Sequence, residues 1–330
     1  MQYIKLPSTN LEVSRIAFGG WAIVGGFNWG PQDEKDSLEA IQTAFDSGIN
    51  FFDTAEGYGN GQSEELLYKA IGQHRQQTVI ATKISPGDFA YKDAKLACER
   101  RLKAMHSDYI DILQLHWPNP EIPIEETIRA LEELKEEGKI RYYGVSNFGV
   151  SDLSEFLSYS THVISNQLPY NLIWRAIEFE ILPLCAEKNI PVLCYSPIMQ
   201  GLLAGKFSSA EEVPDDRART RHFSHTRSQV RHQDKGCEDL TFETIGNIRK
   251  IAEKAEQPMS DLSLAWLLAQ RGVGAVIVGG RNASQVQRNV KAANVSLSEE
   301  SIHALNQATE SLKQKLGKNA DMWQTDSRIH

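Results

Sequence analysis

The chain has 330 residues, of which 41% are hydrophobic and 24% are charged, and its formal net charge is −8. A chain of this length and composition can bury a large core, and it fits an α/β barrel that forms one domain over residues 1–330. The acidic balance argues against nucleic-acid binding, because phosphate backbones select for basic surfaces, and the lack of an apolar run of about 18 residues argues against a membrane span.

Short apolar runs alternate along the chain with longer segments that have helical spacing. In one such segment Leu38, Ile41 and Ala44 share a face, and Gly48 follows as a cap. Strands that alternate with helices of this length predict a parallel sheet. In chain order, the eight predicted strands cover residues 15–19, 50–54, 78–83, 110–117, 140–147, 163–168, 191–196 and 275–279.

Eight parallel strands favour a closed (β/α)8 barrel, the TIM barrel, and a doubly wound open sheet is the alternative. A dinucleotide-binding open sheet needs the pattern Gly-x-Gly-x-x-Gly after an early strand. Gly19-Gly20 and Gly25-Gly26 follow the first predicted strand without forming that pattern. We therefore expect the barrel.

Two segments depart from the alternation. The interval between the seventh and eighth strands is about 80 residues long, and its residues 208–239 are polar and contain several arginines. A loop of this kind is either a lid over a site or disordered. After the eighth strand we expect a helix from Ser284 and an additional C-terminal helix from Ser298 to about Leu316. The polar tail that ends at His330 either frays or folds over the barrel mouth.

Cysteine and histidine spacing gives little support to a metal site or a disulfide framework. The cysteines form no Cys-x-x-Cys pair, and reduced thiols of this kind fit a cytoplasmic protein whose N-terminus lacks a signal peptide. His222 and His225 have the spacing of a metal pair, but no carboxylate or cysteine accompanies them, so we expect solvated side chains and no bound metal. The cysteines are Cys98, Cys185, Cys194 and Cys237.

Four titratable residues lie at or just after the ends of three successive predicted strands. Asp53 lies at the end of the second strand, and Tyr58 follows five residues later. Lys83 ends the third strand, and His116 lies at the end of the fourth. Barrel enzymes carry their functional groups at these ends, and adjacent strands are about 4.8 Å apart, so the four can share one pocket. Each residue alone is equally well explained by architecture, whereas the four together indicate a site.

These residue types suit proton transfer to an oxygen atom. Buried aspartate and lysine are rare unless they pair, so Asp53 is expected to keep Lys83 charged. A nearby ammonium is expected to lower the pKa of Tyr58 from the usual value of about 10. Tyr58 can then act as a proton donor while His116 positions a substrate oxygen. Such a site stabilises the alkoxide that forms when hydride adds to a carbonyl carbon.

These residues and their surroundings resemble the catalytic tetrad of the aldo-keto reductase superfamily. The resemblance extends over nearly the whole chain, and it implies an oxidoreductase that reversibly reduces aldehydes or ketones to alcohols with Tyr58 as the proton donor. The motifs that carry it are Asn50-Phe51-Phe52-Asp53-Thr54-Ala55, Gly144-Val145-Ser146-Asn147-Phe148, Gln167-Leu168-Pro169-Tyr170-Asn171 and Tyr195-Ser196-Pro197.

The resemblance also implies an NADP(H) cofactor across the barrel mouth. Ser146, Asn147 and Gln167 are then expected to bind the nicotinamide carboxamide, and Tyr195 to stack on the ring. The segment that begins at Gly201 resembles the part of the family that covers the pyrophosphate. The resemblance also implies further cofactor contacts at or after the ends of the first and seventh predicted strands, namely Gly20, Trp21, Ser196, Pro197, Gly201, Leu202, Gly205 and Lys206.

The segment Gly279-Gly280-Arg281-Asn282 precedes a predicted helix and resembles the site for the 2′-phosphate of NADP, with Gln285 and Asn289 reaching the adenosine. Many members of the superfamily carry a Lys-Ser pair and a later arginine at the positions of Gly279, Gly280 and Gln285. Other branches show the pattern found here. NADP(H) is therefore favoured, and NAD(H) remains open.

Aromatic residues indicate the substrate pocket. Trp21, Trp29 and Trp117 are predicted beside Tyr58 and His116 at the barrel mouth, although core packing is an equal alternative for Trp117. The expected partner is a small carbonyl or alcohol substrate, and the chain is expected to be a monomer or a weak oligomer. No arginine cluster marks a strongly anionic substrate, unless the long loop supplies one.

Three other functions are compatible with parts of the pattern. A class I aldolase would form a Schiff base at Lys83, although Asp53 should keep that amine protonated and Arg281 would then have no role. A binding or regulatory module, like the potassium-channel β subunits of the same superfamily, would hold the cofactor with little turnover. An isomerase would need no redox change.

Overall fold

A short hairpin precedes the barrel in the computed structural model, which describes residues 1–26 and 29–330. Its antiparallel strands are β1 (Tyr3–Lys5) and β2 (Glu12–Ser14). Leu6, in the connection between them, is fully buried and packs with residues in the interior of the barrel. Sequence periodicity does not predict this hairpin, because three-residue strands are too short to show alternation.

The eight predicted strands are present and form a closed barrel in which all neighbouring strands are parallel. The (β/α)8 prediction is therefore confirmed, and the open sheet is wrong. The barrel strands are β3 (Ile16–Gly19), β4 (Phe51–Asp53), β5 (Val79–Ile84), β6 (Ile110–Leu115), β7 (Ile140–Ser146), β8 (Val163–Pro169), β9 (Val192–Tyr195) and β10 (Val273–Gly279). The last of them pairs with β3 and closes the barrel.

Helices, most of them amphipathic, flank the barrel. They are α1 (Glu34–Asp46), α2 (Gln62–Ile71), α3 (Tyr91–Ala104), α4 (Ile124–Glu136), α5 (Val150–Tyr159), α6 (Ile181–Glu187), α7 (Glu238–Lys254), α8 (Met259–Ala269), α9 (Ala283–Ala292) and α10 (Glu299–Leu316). In α1, Asp33 caps the N-terminus by accepting a hydrogen bond from the backbone N–H of Lys35 at 2.7 Å, while Ala40, Ile41 and Ala44 are fully buried. The additional C-terminal helix predicted from Ser298 is α10.

Side-chain alternation along the strands decides which residues enter the barrel. On β5, Val79 and Ala81 pack in the interior, so Lys83, two residues later, has the same orientation. The register pairs Lys83 with Gln114 of β6 and Asp53 of β4 with Ala81. A carboxylate, an amine and an amide therefore meet at the C-terminal end of the interior.

The long interval after β9 contains α7 and α8, and its remaining part, residues 196–237, folds over the C-terminal end of the barrel. Phe223 in this part is fully buried, and the backbone N–H of Arg221 donates to the carbonyl of Met322 at 3.0 Å. Of the two states expected for residues 208–239, the structure shows the ordered one, which covers the site.

The C-terminal tail also folds over the barrel mouth instead of fraying. Met322 is fully buried, and Trp323 and Arg328 line the same cavity as the barrel residues. The last residue is tied to α5, since the backbone N–H of His330 donates to Asp152 Oδ2 at 2.7 Å and the carbonyl of His330 accepts from the N–H of Asp152 at 3.1 Å. The tail thus becomes part of the wall of the site.

His222 and His225, the pair with metal-ligand spacing, are not part of a metal-binding cluster in the described part of the chain. His222 is fully buried, with Nε2 2.8 Å from the carbonyl of Ile173 and Nδ1 2.9 Å from Thr220 Oγ1, so the expectation of a solvated side chain is wrong for it. Within the part of the chain that the structure describes, no cluster of three or more His, Cys, Asp or Glu residues could hold a metal ion. Over residues 1–26 and 29–330, no helix is both long and apolar enough to cross a membrane.

Candidate active site

Asp53, Lys83 and Tyr58 form a hydrogen-bonded row at the C-terminal end of the barrel. Lys83 Nζ lies 2.7 Å from Asp53 Oδ1 and 3.4 Å from Tyr58 Oη, and it also donates to the carbonyl of Thr54 at 2.9 Å. Lys83 exposes only 1% of its surface, and Asp53 only 3%. Burial acts to lower the pKa of Lys83, but the charge of Asp53 and its hydrogen bond outweigh burial and raise that pKa above its usual value. The amine is therefore charged at neutral pH.

The second oxygen of Asp53 is held by two amides. Gln167 Nε2 donates to Asp53 Oδ2 at 2.7 Å, and Gln114 Nε2 donates to the same atom at 3.2 Å. Gln114 is not among the residues predicted from the sequence. Alternation on β6 was the available signal, because Gln114 lies two residues before His116 and so faces the same side of the strand. The two amides orient the carboxylate toward Lys83.

Tyr58 lies in the loop after β4, between two aromatic rings. Its ring stacks on Trp21 at 6.0 Å and meets His116 edge-on at 6.1 Å. Burial raises the pKa of Tyr58 above its usual value of about 10, and the Lys83 cation lowers it by less. The expectation of a lowered pKa is therefore wrong for this structure, although Lys83 acts in the expected direction. Tyr58 keeps its proton at neutral pH, which is the state that a general acid requires.

His116 is held at the same opening by its backbone. Its N–H donates to the carbonyl of Ile84 at 3.0 Å, and its carbonyl accepts from Asn147 Nδ2 at 2.9 Å. Burial, reinforced by the nearby cations Lys83 and Arg101, lowers the pKa of His116 to about 3. The imidazole is therefore neutral, and it can offer one N–H to an oxygen atom in the cavity.

The polar residues expected at the nicotinamide ring are linked to one another. Tyr195 Oη donates to Asn147 Oδ1 at 2.9 Å, and Ser146 Oγ donates to the carbonyl of Gln167 at 3.0 Å. Asn147 has a φ of +63°, a left-handed conformation that asparagine tolerates better than most residues. These bonds fix the Asn147 amide beside the Tyr195 ring and link Ser146 to the backbone of β8.

A cavity of about 810 Å³ opens at this end of the barrel. Asp53, Tyr58 and His116 line it, and Lys83 lies behind them. The other predicted residues that line the cavity are Trp21, Trp29, Trp117, Ser146, Asn147, Gln167, Tyr195, Ser196, Pro197, Gly201, Lys206, Gly279, Arg281, Gln285 and Asn289. The structure thus brings most of the predicted site together.

Four residues expected to contact the cofactor do not line the cavity, namely Gly20, Leu202, Gly205 and Gly280. A Cβ on Gly20 would lie 2.5 Å from Ser63 Oγ, and one on Gly280 would lie 2.7 Å from Val286 Cγ2. Both glycines therefore serve close packing in this structure. Leu202 is buried in the core, and Gly205 ends a helical turn with a φ of +74°.

The three predicted tryptophans form a wall of the cavity. Trp21 and Trp29 meet edge-on with their centroids 5.4 Å apart, and Trp21 also stacks on Tyr58. Trp117 is half-buried and lines the cavity, while the guanidinium of Arg328 lies 3.8 Å from its ring centroid. Trp117 therefore combines the two alternatives, since it lines the cavity and also packs against the hydrophobic core.

The segment between β10 and α9 holds the expected phosphate-binding residues. Arg281 Nε donates to Gln32 Oε1 at 2.7 Å, and Asn282 caps α9. Arg288, which is not among the predicted residues, also lines the cavity from α9 and is exposed. A helix N-terminus beside two guanidinium groups suits an anionic ligand.

Four arginines that no sequence motif identified also line the cavity: Arg217, Arg219 and Arg231 of the long loop, and Arg328 of the tail. The guanidinium of Arg217 lies 4.6 Å from the centroid of Trp29, and that of Arg219 lies 5.3 Å from the centroid of Trp323. The richness of the loop in arginine was the only signal in the sequence. Their position depends on how the loop and the tail fold over the barrel.

Comparison with known proteins gives consistent matches. The sequence profile of the Aldo/keto reductase family matches residues 15–310. The aldo-keto reductase YhdN of Bacillus subtilis (strain 168) is 35% identical over 303 residues, covering 87% of each chain. The NADH-specific methylglyoxal reductase of Escherichia coli (strain K12) is 32% identical over 336 residues, covering 95% of this chain and 100% of that protein.

Solved structures agree with these matches. The glycerol dehydrogenase AKR11B4 from Gluconobacter oxydans has a TM-score of 0.81 and 30% identity, covering 94% of this chain and 95% of its own. An aldo-keto reductase from Klebsiella pneumoniae in complex with NADPH has a TM-score of 0.72 and 27% identity, covering 90% of this chain and 91% of its own. The family profile, the sequence relatives and the barrel architecture lead to one conclusion: this chain is an oxidoreductase that belongs to the aldo/keto reductase family.

Proposed function

We propose that the protein is an NADP(H)-dependent oxidoreductase that reversibly reduces aldehyde or ketone carbonyls to alcohols, with Tyr58 as the general acid and base. The observation that carries this proposal is the position of the buried Lys83 ammonium between Asp53 and Tyr58, at 2.7 Å and 3.4 Å, beside an open cavity. A charged amine next to a protonated phenol suits proton delivery to a developing alkoxide.

Each residue of the tetrad has a distinct role in this proposal. Tyr58 donates its proton to the carbonyl oxygen, and Lys83 stabilises the phenolate that remains. Asp53 keeps Lys83 charged and oriented. Neutral His116 donates a hydrogen bond that holds the substrate oxygen beside Tyr58. When bound, the nicotinamide supplies the hydride that reaches the carbonyl carbon.

The cavity fits a phosphorylated dinucleotide at both ends. Asn147, Gln167 and Tyr195 offer amide groups and an aromatic face at the barrel end, whereas Arg281 and Arg288 offer cations beside the N-terminal half of α9. The NADPH complex of the Klebsiella pneumoniae relative supports NADP(H). The NADH-specific relative from Escherichia coli keeps NAD(H) as the alternative to be tested.

The aldolase alternative is disfavoured by the state of Lys83. Its side chain is buried, and Asp53 raises the pKa of its ammonium group. The amine is therefore not in the unprotonated form that Schiff-base formation requires. A cofactor-binding module without turnover and an isomerase would both leave NADPH unconsumed when carbonyl compounds are added.

The deciding experiment is the consumption of NADPH, with NADH in parallel, against a panel of aldehydes, ketones and sugars. We expect carbonyl-dependent loss of absorbance at the nicotinamide wavelength, faster with NADPH than with NADH. Binding of NADPH without any carbonyl-dependent consumption would favour the regulatory module. Trapping of a substrate on Lys83 by borohydride in the absence of NADPH would favour the aldolase.

A further inference from the structure

The cavity carries more positive charge than a dinucleotide requires. Among the described residues that line it, seven lysines or arginines face two aspartates, although the whole chain has a net charge of −8. One of those aspartates, Asp53, is already paired with Lys83. Positive charge concentrated in one cleft of an acidic protein raises the local concentration of anionic ligands.

The basic residues fall into two groups. Lys206, Arg281 and Arg288 belong to the segments assigned to the phosphates of NADP(H). Arg217 is placed in the same group because it lies close to Arg281. The repulsion between these two charges lowers the pKa of Arg217 further than burial alone. The cofactor accounts for this group. It does not require the second group, which is Arg219, Arg231 and Arg328.

The second group lies near the reacting end of the site. The guanidinium of Arg219 is 6.0 Å from the centroid of Trp21, and that ring stacks at 6.0 Å on Tyr58. Arg328 lies over Trp117, the residue that follows His116 in the chain. One aromatic ring therefore separates Arg219 from the proposed proton donor.

Arg328 is neutralised within the protein, whereas Arg231 has no such carboxylate partner among the described residues. Asp321, fully buried, accepts from Arg328 Nε at 2.7 Å and from Nη2 at 3.0 Å. Arg231 is exposed, and over residues 1–26 and 29–330 no carboxylate lies within ion-pair distance of it. Burial lowers the pKa of Arg219, and the charges of Arg217 and Arg231 lower it further, while Asp216 opposes this effect. Like charges that repel each other in a cleft suit an anion bound between them.

Buried side-chain donors also line this cavity. Gln200 has a left-handed φ of +52°, and its Oε1 accepts from Arg219 Nη2 at 3.2 Å. In the described part of the chain, the Gln200 Nε2 and Trp29 Nε1 donors are buried at this cavity without a hydrogen-bond partner. Buried donors are normally satisfied, so these two suit the acceptor oxygens of a ligand.

We propose that the preferred substrate is a carbonyl compound that also carries an anionic group, a phosphate or a carboxylate, a few bonds from the carbonyl, and that Arg219 and Arg231 bind this group. The inference rests on the proposed carbonyl reduction and deepens it. The anionic group is bound and left unchanged, while hydride and proton add to the C=O group. The side chains of Gln200 and Trp29 supply further donors to the same oxygens.

The test compares neutral and anionic substrates of the same shape. Glyceraldehyde is matched with glyceraldehyde 3-phosphate, and benzaldehyde with 4-carboxybenzaldehyde, so that the two pairs distinguish phosphate from carboxylate. We expect kcat/KM to be about tenfold or more higher for the anionic member of at least one pair at low salt. We also expect this preference to decrease as ionic strength rises.

Variants assign the preference to residues. Arg231→Ala and Arg219→Gln should lower the ratio of anionic to neutral kcat/KM by about 10-fold, mainly through KM of the anionic member, and Arg231→Lys should restore part of the ratio. Arg271→Ala is the matched control, because Arg271 is exposed just before β10, at the opposite end of the barrel, and the variant removes the same charge. It should leave the ratio unchanged.

A binding measurement separates this inference from the proposed function. Calorimetry with the NADP-loaded protein should detect glycerol 3-phosphate but not glycerol, and Arg231→Ala should abolish that difference. Reduction of both members of each pair with equal kcat/KM would overturn the anion site and leave the proposed function standing. An increase in KM for NADPH in Arg231→Ala, with an unchanged substrate ratio, would assign Arg231 to the cofactor and also overturn the inference. If no carbonyl compound is reduced, the proposed function fails, and the calorimetric difference alone decides the anion site.

Discussion

Asp53 and Lys83 show how a buried ion pair can be maintained inside a barrel. Lys83 exposes 1% of its surface, yet it has three hydrogen-bond partners, and the second oxygen of Asp53 accepts from two amides. Removing one partner of such a pair leaves an uncompensated buried charge, which typically costs about 3–5 kcal/mol. A variant of Asp53 or Lys83 is therefore expected to lower both the stability and the activity of the protein. Tyr58 is the better residue for a test of mechanism.

Replacing Tyr58 with phenylalanine removes only the phenolic oxygen. We expect Tyr58→Phe to keep NADPH binding, because the ring still stacks on Trp21. We expect carbonyl reduction to fall by a factor of about 100 or more, the usual scale for losing a general acid. Steady-state reduction and fluorescence titration with NADPH measure the two effects separately.

Tyr159→Phe is the matched control, since Tyr159 is 54% exposed at the end of α5 and is not among the residues that line the cavity. It should have the activity of the unmodified protein. Turnover by Tyr58→Phe close to that of the control would rule out the proposed role of Tyr58.

The pH dependence of both reaction directions follows from the state of Tyr58 and His116. Burial raises the pKa of Tyr58 above 10 and lowers the pKa of His116 to about 3, so neither group titrates between pH 6 and 9. Reduction needs the protonated phenol and should be nearly constant over this range. Alcohol oxidation needs the phenolate and should rise as pH increases. Initial rates in both directions test this, and a fall in reduction with an apparent pKa near 6.5 would instead indicate a titrating imidazole.

At the scale of elements, α2 packs a carboxyl group against the outside of β5. Glu64 exposes 1% of its surface and accepts a hydrogen bond from Thr82 Oγ1 at 2.5 Å. Burial raises the pKa of Glu64 to about 7 from an ordinary value of 4.5. The unfolded chain therefore loses this proton first as pH rises, and the contribution to the free energy of unfolding decreases between pH 4.5 and 7.

Glu64→Gln should remove this pH dependence. Relative to the variant, the unmodified protein should lose on the order of 2–3 kcal/mol between pH 4.5 and 7.5, measured by urea denaturation at each pH. Glu65→Gln, at an exposed position of the same helix, is the control and should follow the unmodified protein. An equal pH slope for Glu64→Gln and the unmodified protein would mean that Glu64 is ionised in the folded state.

The N-terminus of α9 should decide the cofactor preference. Arg281 stands at the connection from β10 and contacts Gln32, so its guanidinium is held at the end of the cavity. Arg281→Ala should raise the KM for NADPH about 10-fold or more and change the KM for NADH much less, because only NADPH has a 2′-phosphate. Lys291→Ala, exposed in the last turn of α9, is the control. Equal increases in KM for NADPH and NADH would show that Arg281 does not bind the 2′-phosphate.

At the scale of the whole molecule, charge is distributed unevenly. The chain is acidic, with a net charge of −8, whereas its cavity is basic. This separation arises because the loop at residues 196–237 and the tail after α10 bring arginines to the barrel mouth. The single domain over residues 1–330, the cytoplasmic location and the monomeric or weakly associated state stay predictions of the sequence.

The sequence by itself determined the barrel and the order of its catalytic candidates. Apolar periodicity is local, so the eight strands could be identified, and parallel strands place Asp53, Lys83 and His116 at one end whatever the details of packing. The hairpin before β3 could not be found in this way, because its strands are too short to show a period.

Only the tertiary structure decided the electrostatics of the site. The pKa of Tyr58 rises because surrounding elements bury it, and burial depends on contacts between residues far apart in sequence. The arginines of the long loop have no period, and their place at the cavity depends on long-range bonds such as that from Arg221 to the carbonyl of Met322. Local sequence patterns therefore predict which strand ends carry the catalytic candidates. The arginines that surround these candidates are brought to the cavity only when distant segments of the chain fold together.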